Sequence, residues 1–190
     1  MKLEKPVIIA LCGKSASGKS TIQRVLAKDY SIHKIISCTT RPPREGEVDG
    51  VDYHFLTEDE FLAGSLNGEF LEAAQFRGWY YGTRKQDIDS EISVGVFNPQ
   101  GLESLEKFDN EYLIVPIYIR LPFWDRMMRS YNREGKFKKE YLRRAFTDFI
   151  DFWKIKNKLI WDINYKLAKT PEFAAHLIYE HICFCLTGQL

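Results

Sequence analysis

The residues Gly13-Lys14-Ser15-Ala16-Ser17-Gly18-Lys19-Ser20 constrain this chain more than any others. They match G-x-x-x-x-G-K-[ST] at every fixed position. Ahead of them, Val7 to Leu11 is a continuous apolar run, the pattern of a strand buried on both faces. Behind them, Lys19 to Lys28 places Ile22, Val25 and Leu26 on one side of a helix. A strand, a glycine-bearing turn and a helix form the context in which this pattern cradles phosphate. Glycine lets the backbone turn its N–H groups inward without a Cβ clash. Those groups and the positive helix end then hold phosphate oxygens. Lys19 brings a charge to the β- and γ-phosphates, and Ser20 offers a hydroxyl to Mg²⁺. Gly13, Ser15, Ala16, Ser17, Gly18, Lys19, Ser20 and Thr21 are the residues expected around a nucleoside triphosphate, with Ser20 on the metal side. The pattern specifies a nucleotide and leaves the reaction open.

The rest of the chain supplies strands and helices in alternation. His33–Ser37, Ile92–Phe97, Tyr112–Ile119 and Lys158–Ile163 read as further strands. Helices are expected after Pro99, after Pro122, across the charged stretch from Lys136 to Lys158, and from Thr170-Pro171 onward. Alternation of this kind gives an α/β fold, a mostly parallel sheet flanked by helices. Between Thr39 and Gly82 the alternation breaks. Thr39 to Val51 reads as turns and loop, and Tyr53–Phe55 as a short strand. Thr57-Glu-Asp-Glu60 has the form of a capping box, opening a helix that ends near Gly64 or Gly68. Phe70–Phe76 and Trp79–Tyr81 form a hairpin about Gly78. This region reads as a small inserted lobe. With 190 residues, the chain has room for one such core and lobe, not for two full domains.

Charge and cysteines narrow the partners. A net charge of +1 gives no overall basic field, so no nucleic-acid partner is expected. The apolar run at Val7–Leu11 is too short to span a membrane and no cleavage site follows it, so no membrane partner is expected either. Cys12, Cys38, Cys183 and Cys185 make no C-x-x-C pair, which suits free thiols and a cytoplasmic location.

The second substrate is to be sought in the stretch Ser37-Cys-Thr-Thr-Arg41-Pro-Pro-Arg44-Glu-Gly-Glu-Val-Asp-Gly-Val-Asp-Tyr53. Two arginines three apart, beside a tyrosine hydroxyl, can grip a monophosphate through charge-assisted bonds. Taken alone, the stretch also fits a solvated basic loop. It resembles the acceptor-binding signature of the guanylate kinase family. The resemblance continues through Tyr53-His-Phe, Gly68-Glu-Phe-Leu-Glu72 and Trp79-Tyr-Tyr81-Gly82-Thr83, and with the phosphate loop it covers residues 7 to 84.

The resemblance implies the P-loop kinase fold with an acceptor-binding lobe at about 37–83, a helical lid at about 126–155, and a core at about 1–36, 84–125 and 156–190. It implies phosphorylation of GMP or dGMP by ATP with Mg²⁺, in a monomer or homodimer. Arg41, Arg44, Tyr53 and Tyr81 would hold the acceptor phosphate, and Ser37, Glu72 and Thr83, beside Gly82, would read guanine. Guanine offers N1–H and N2–H₂ side by side to a carboxylate such as Glu72, and its O6 to the hydroxyls of Ser37 and Thr83. Alone, Glu72 also fits a solvated acid at a strand end.

The stretch Arg126-Met-Met-Arg129-Ser-Tyr-Asn-Arg133 resembles the family's approach to the lid, and Arg144 followed by Asp151 resembles its second arginine. Arg133 and Arg144 would then join Lys19 and Arg44 as catalytic residues, stabilising charge on the transferred group. Arg143 is the neighbouring register, and a basic helix surface is the plain reading of the same residues. Two other functions also fit: a catalytically weak guanylate-kinase-like interaction module, and a P-loop kinase for another nucleoside monophosphate. The second is kept open by Val96 and Asn98, which stand where the family usually has two aspartates. An acid there would organise Mg²⁺ water or the acceptor, and Asp87, Asp89 and Glu91 are the nearest replacements.

Overall fold

The computed structural model describes residues 3–88, 90–134, 147–148, 152, 161–164 and 168–187, with backbone only at 133–134, 161–162 and 187. The expected lid helix from 136 to 158, with Arg143, Arg144 and Asp151, lies almost wholly outside the described residues. So does Asp89.

A sheet of β1 (Val7–Cys12), β2 (His33–Lys34), β7 (Ile92–Val96), β8 (Leu113–Arg120) and β9 (Trp161–Asn164) runs in the order β2-β7-β1-β8-β9. The β2–β7 and β8–β9 pairs are parallel. All six residues of β1 are buried, which is why that segment is apolar without alternation. The chain divides into two compact units, residues 1–10 with 32–115 and residues 11–31 with 116–190.

The first unit also carries a sheet of order β4-β3-β6-β5, made of β3 (Cys38–Thr39), β4 (His54–Phe55), β5 (Phe70–Phe76) and β6 (Trp79–Arg84). The β5–β6 hairpin turns through Arg77 and Gly78 at φ 57° and 81°. This is the pair of positive angles that a twisted two-residue turn requires. β3 falls at the start of the stretch read as loop, with Thr39 inside it and Cys38 just ahead. A strand this short has no periodicity, and its pairing with β4 and β6 is what makes it one.

Helix α2 (Glu58–Leu66) covers one face of this sheet. Its capping box forms as expected: Thr57 Oγ1 accepts the Glu60 N–H at 3.2 Å, and Glu60 Oε2 accepts the Thr57 N–H at 2.7 Å. Such a cap contributes about 1 kcal/mol. Phe61 stacks on Phe70 and Tyr80, with ring centroids 4.4 and 5.4 Å apart, over Cys38. Helix α3 (Pro99–Leu105) packs on β5.

In the second unit, helix α1 (Lys19–Asp29) follows the phosphate loop and buries Ile22 and Leu26. Its end meets the C-terminal helix α5 (Pro171–Thr187), where Tyr30 and Tyr179 lie 4.5 Å apart. Helix α4 (Phe123–Glu134) follows β8. Among the described residues no helix is long and apolar enough to cross a membrane.

Candidate active site

Strand register assembles several of the residues expected on the acceptor side. Thr83 on β6 pairs with Glu72 on β5, and Tyr81 pairs with Thr39 on β3. Directly paired residues share a face, and so do residues two apart along a strand. Glu72, Thr83, Tyr81 and Thr39 therefore face one way. Ser37 stands one residue before β3, where its carbonyl accepts the His54 N–H at 3.0 Å. Cys38, Gly82 and Tyr80 face the other way, toward α2.

Phe70 lies on the α2 face although it is two residues from Glu72. A bulge between them makes this possible. Gly82 is also a packing residue. A Cβ there would sit 2.9 Å from Phe70 and 3.0 Å from Phe61.

Glu72 is only 6% exposed, and the Thr83 hydroxyl donates to its Oε1 at 3.0 Å. Burial pushes the Glu72 pKa up to about 7, against the lowering effect of that hydrogen bond. The start of α3 lies beside it, since a Cβ on Gly101 would be 3.1 Å from Glu72 Oε2. Asn98 caps this helix, its Oδ1 accepting the Gly101 N–H at 2.8 Å. The residue that the resemblance sets at an aspartate position thus serves as a helix cap in the first unit. An amide oxygen serves as the cap there as well as a carboxylate would.

The arginines gather around Glu47. Arg41 Nη2 donates to both Glu47 oxygens, at 3.0 and 2.9 Å, and Nη1 donates to the Pro42 carbonyl at 2.7 Å. The Arg44 N–H donates to Glu47 Oε2 at 2.7 Å. The Arg41 guanidinium lies 5.4 Å from the Tyr53 ring centroid, and the Tyr53 and Tyr81 rings are 6.3 Å apart. Arg41, Arg44, Tyr53 and Tyr81 thus form one cluster. Glu47 holds it together, a role the sequence reading did not assign.

The phosphate loop is built from backbone. Gly13 approaches β8 so closely that a Cβ would lie 2.7 Å from the Ile119 carbonyl oxygen. Gly18 precedes α1 at φ 99°, and no side chain caps the helix. That leaves the start of α1 without a side-chain acceptor, as an anion site at a helix end requires. Lys19 Nζ donates to the Gly13 and Lys14 carbonyls at 2.7 and 3.2 Å. Ser20 and Thr21 are exposed at the start of the helix.

Within the loop, the Ser17 N–H closes a turn onto the Lys14 carbonyl at 3.1 Å. Ala16, third in that turn, has φ 60°. A type II turn favours glycine at that place, and a residue with a Cβ costs about 1 kcal/mol or more there. Asp148 reaches this turn: its Oδ2 accepts the Ser15 N–H at 2.9 Å and its Oδ1 the Ser15 hydroxyl at 3.4 Å. Arg126 from α4 donates to the Ser15 carbonyl at 3.2 Å and lies 3.5 Å from Asp148. Their side chains are 4% and 3% exposed.

A model described as guanylate kinase matches residues 4–150 of this chain. The chain belongs to the guanylate kinase family. It is 47% identical over 91 residues to a guanylate kinase of Bifidobacterium longum (strain NCC 2705), covering 47% of this chain and 46% of that protein. It is 33% identical over 137 residues to that of Chlamydia felis (strain Fe/C-56), covering 68% and 66%. The chain spans about half the length of most of the curated relatives it matches. A crystal structure of guanylate kinase from Anaplasma phagocytophilum superposes with a TM-score of 0.69, covering 97% of this chain and 88% of that one at 24% identity, which shows a shared fold. Against this family background, Arg133 falls at the end of α4 and Arg144 outside the described residues.

Proposed function

We propose that this chain transfers the γ-phosphoryl group of ATP to GMP or dGMP. The observation that carries the reading is the buried Glu72 carboxylate, bonded to Thr83 on a sheet face shared with Tyr81, with Ser37 just ahead of β3. A carboxylate in that setting accepts guanine N1–H and N2–H together. Adenine has no such donor pair, and a buried acid left unmatched is penalised. Arg41, Arg44, Tyr53 and Tyr81 take the acceptor phosphate, with Glu47 surrendering part of its hold as the dianion arrives.

On the donor side, the loop from Gly13 to Ser20 and the hydroxyl of Thr21 hold the triphosphate, and Lys19 turns from the loop carbonyls to its oxygens. Mg²⁺ bound with the triphosphate supplies charge neutralisation, and Ser20 is the residue to hold it. Arg133 and Arg144 stabilise charge on the transferred group. In this reading the acceptor lobe is about 37–83, the lid about 126–155, and the remainder the core of a cytoplasmic enzyme.

The test is coupled ADP release over ribo- and deoxymonophosphates. GMP or dGMP should exceed AMP, CMP, UMP and dTMP by at least about 10²-fold in kcat/KM. A pyrimidine or AMP as best substrate would overturn the base assignment. No ADP release with any acceptor would favour an interaction module.

A further inference from the structure

We infer that Arg126 and Asp148 are positioning residues for ATP, a clamp that holds the phosphate loop in its strained turn; the inference rests on the nucleotide reading above. Neither residue belongs to the loop pattern, and neither carries a role in the transfer just described.

The geometry is specific. The clamp takes Ser15 from both ends, with Asp148 on its N–H and Arg126 on its carbonyl. Those two groups define the orientation of the peptide planes on either side of Ser15. The very next residue is Ala16, at φ 60° with a Cβ. Left to itself, the peptide between Ser15 and Ala16 would flip to relieve Ala16, and the N–H groups that follow would lose their common direction. Fixing the Ser15 carbonyl opposes that flip. The clamp is also private to one segment: Arg126 makes a second bond at 3.2 Å to the Leu121 carbonyl, which anchors it to the end of β8. The loop is therefore tied to the same strand end that Gly13 approaches.

Charge completes the case. A buried pair stabilises little by itself against its desolvation. Hydrophobic replacements would fill the same space. What they could not do is accept an N–H and donate to a carbonyl at a chosen residue. Polar groups at these two positions are explained by what they orient.

The experiment measures binding of a non-hydrolysable ATP analogue and of GMP, separately, by calorimetry. The variants are Asp148→Leu, the double Arg126→Met/Asp148→Leu, and each with Ala16→Gly. The double variant removes both charges together, which protects the fold where the single one leaves Arg126 unpaired. Folding is checked by circular dichroism and Tm. In folded clamp variants the Kd for the ATP analogue should rise ~10-fold while that for GMP stays within ~2-fold. Adding Ala16→Gly should recover most of the loss, because the turn no longer needs holding. Three results would overturn the clamp: a folded double variant with wild-type affinity for the analogue, parallel losses for both nucleotides, or no recovery with Ala16→Gly. Wild-type protein that binds GMP but no ATP analogue would instead overturn the reading of the loop, and the clamp with it.

Discussion

On the acceptor side, Glu72 and Thr83 meet because the pairing of β5 with β6 puts them opposite one another. In the phosphate loop no pairing holds Ser15 and Ala16, and side chains from distant segments do it instead. The first region takes its precision from a ladder whose period is fixed at two residues. The second takes its shape from close backbone approach at Gly13 and a positive φ at Ala16, both of which cost conformational energy. A site for a base can be laid out on a regular surface, because specificity comes from side chains. A cradle for phosphate needs converging N–H groups, and no regular element supplies them except a helix end.

The largest effect should come from the donor side. In the proposed transfer Lys19 supplies the charge that meets the phosphoryl group, so in Lys19→Ala turnover should fall by on the order of 10²–10⁴. Steady-state ADP release checks this, with circular dichroism to show an intact fold. Wild-type turnover would sink the kinase reading.

Glu72→Gln should separate function from stability on the acceptor side. An amide cannot accept from both guanine donors, so kcat/KM for GMP should drop about 10²-fold. Stability should move the other way. The folded-state pKa of Glu72 is raised to about 7, so its stabilising share is complete below the usual carboxylate range and is lost as pH rises through 7. At pH 8 the neutral amide should therefore stabilise the free protein, by on the order of 3 kcal/mol at most. Denaturant melts at pH 5 and pH 8 test this. A gain at pH 8 that vanishes near pH 5 is the expected pattern, and an equal effect at both would contradict it.

The smallest effects set one region directly against the other. Gly82→Ala should destabilise by roughly 1–3 kcal/mol, since the new Cβ meets Phe61 and Phe70. Ala16→Gly should stabilise by less than about 1 kcal/mol, strain relief being partly offset by the entropy of glycine in the unfolded chain. Thermal melts of the two variants give the signs. If both destabilise alike, the contrast between a packed sheet and a strained loop is wrong.

Much of this was legible in the sequence where a residue type had a local reason. The Thr57 capping box, the Gly78 turn and the strand, turn and helix around Gly13 to Ser20 each act within a few residues, and each formed as read. Asn98 was legible too, as the residue ahead of a Pro at a helix start, but the expectation of a metal-side acid drew attention from its cap. Asp148 carried no such signal. Its partner Ser15 lies 133 residues away, and an acid on a charged helical stretch looks like solvent-facing surface. Glu47 stood inside the same motif, yet only folding shows it as the counter-charge of the Arg41 guanidinium and the acceptor of the Arg44 N–H. The bulge beside Glu72 was invisible because sequence patterns assume an unbroken period.

That bulge has a consequence for how the lobe can change over generations. Its turns can lengthen or shorten, since they are not what sets which way a side chain faces. The bulge at Leu71 shares that freedom. Losing Leu71 would restore plain alternation with Phe70 and Glu72 as neighbours, which keeps the phenylalanine toward α2 and the acid on the opposite face. A codon lost elsewhere in β5 has no such extra residue to absorb it, and would exchange one stretch of the strand's inside for its outside in a single step.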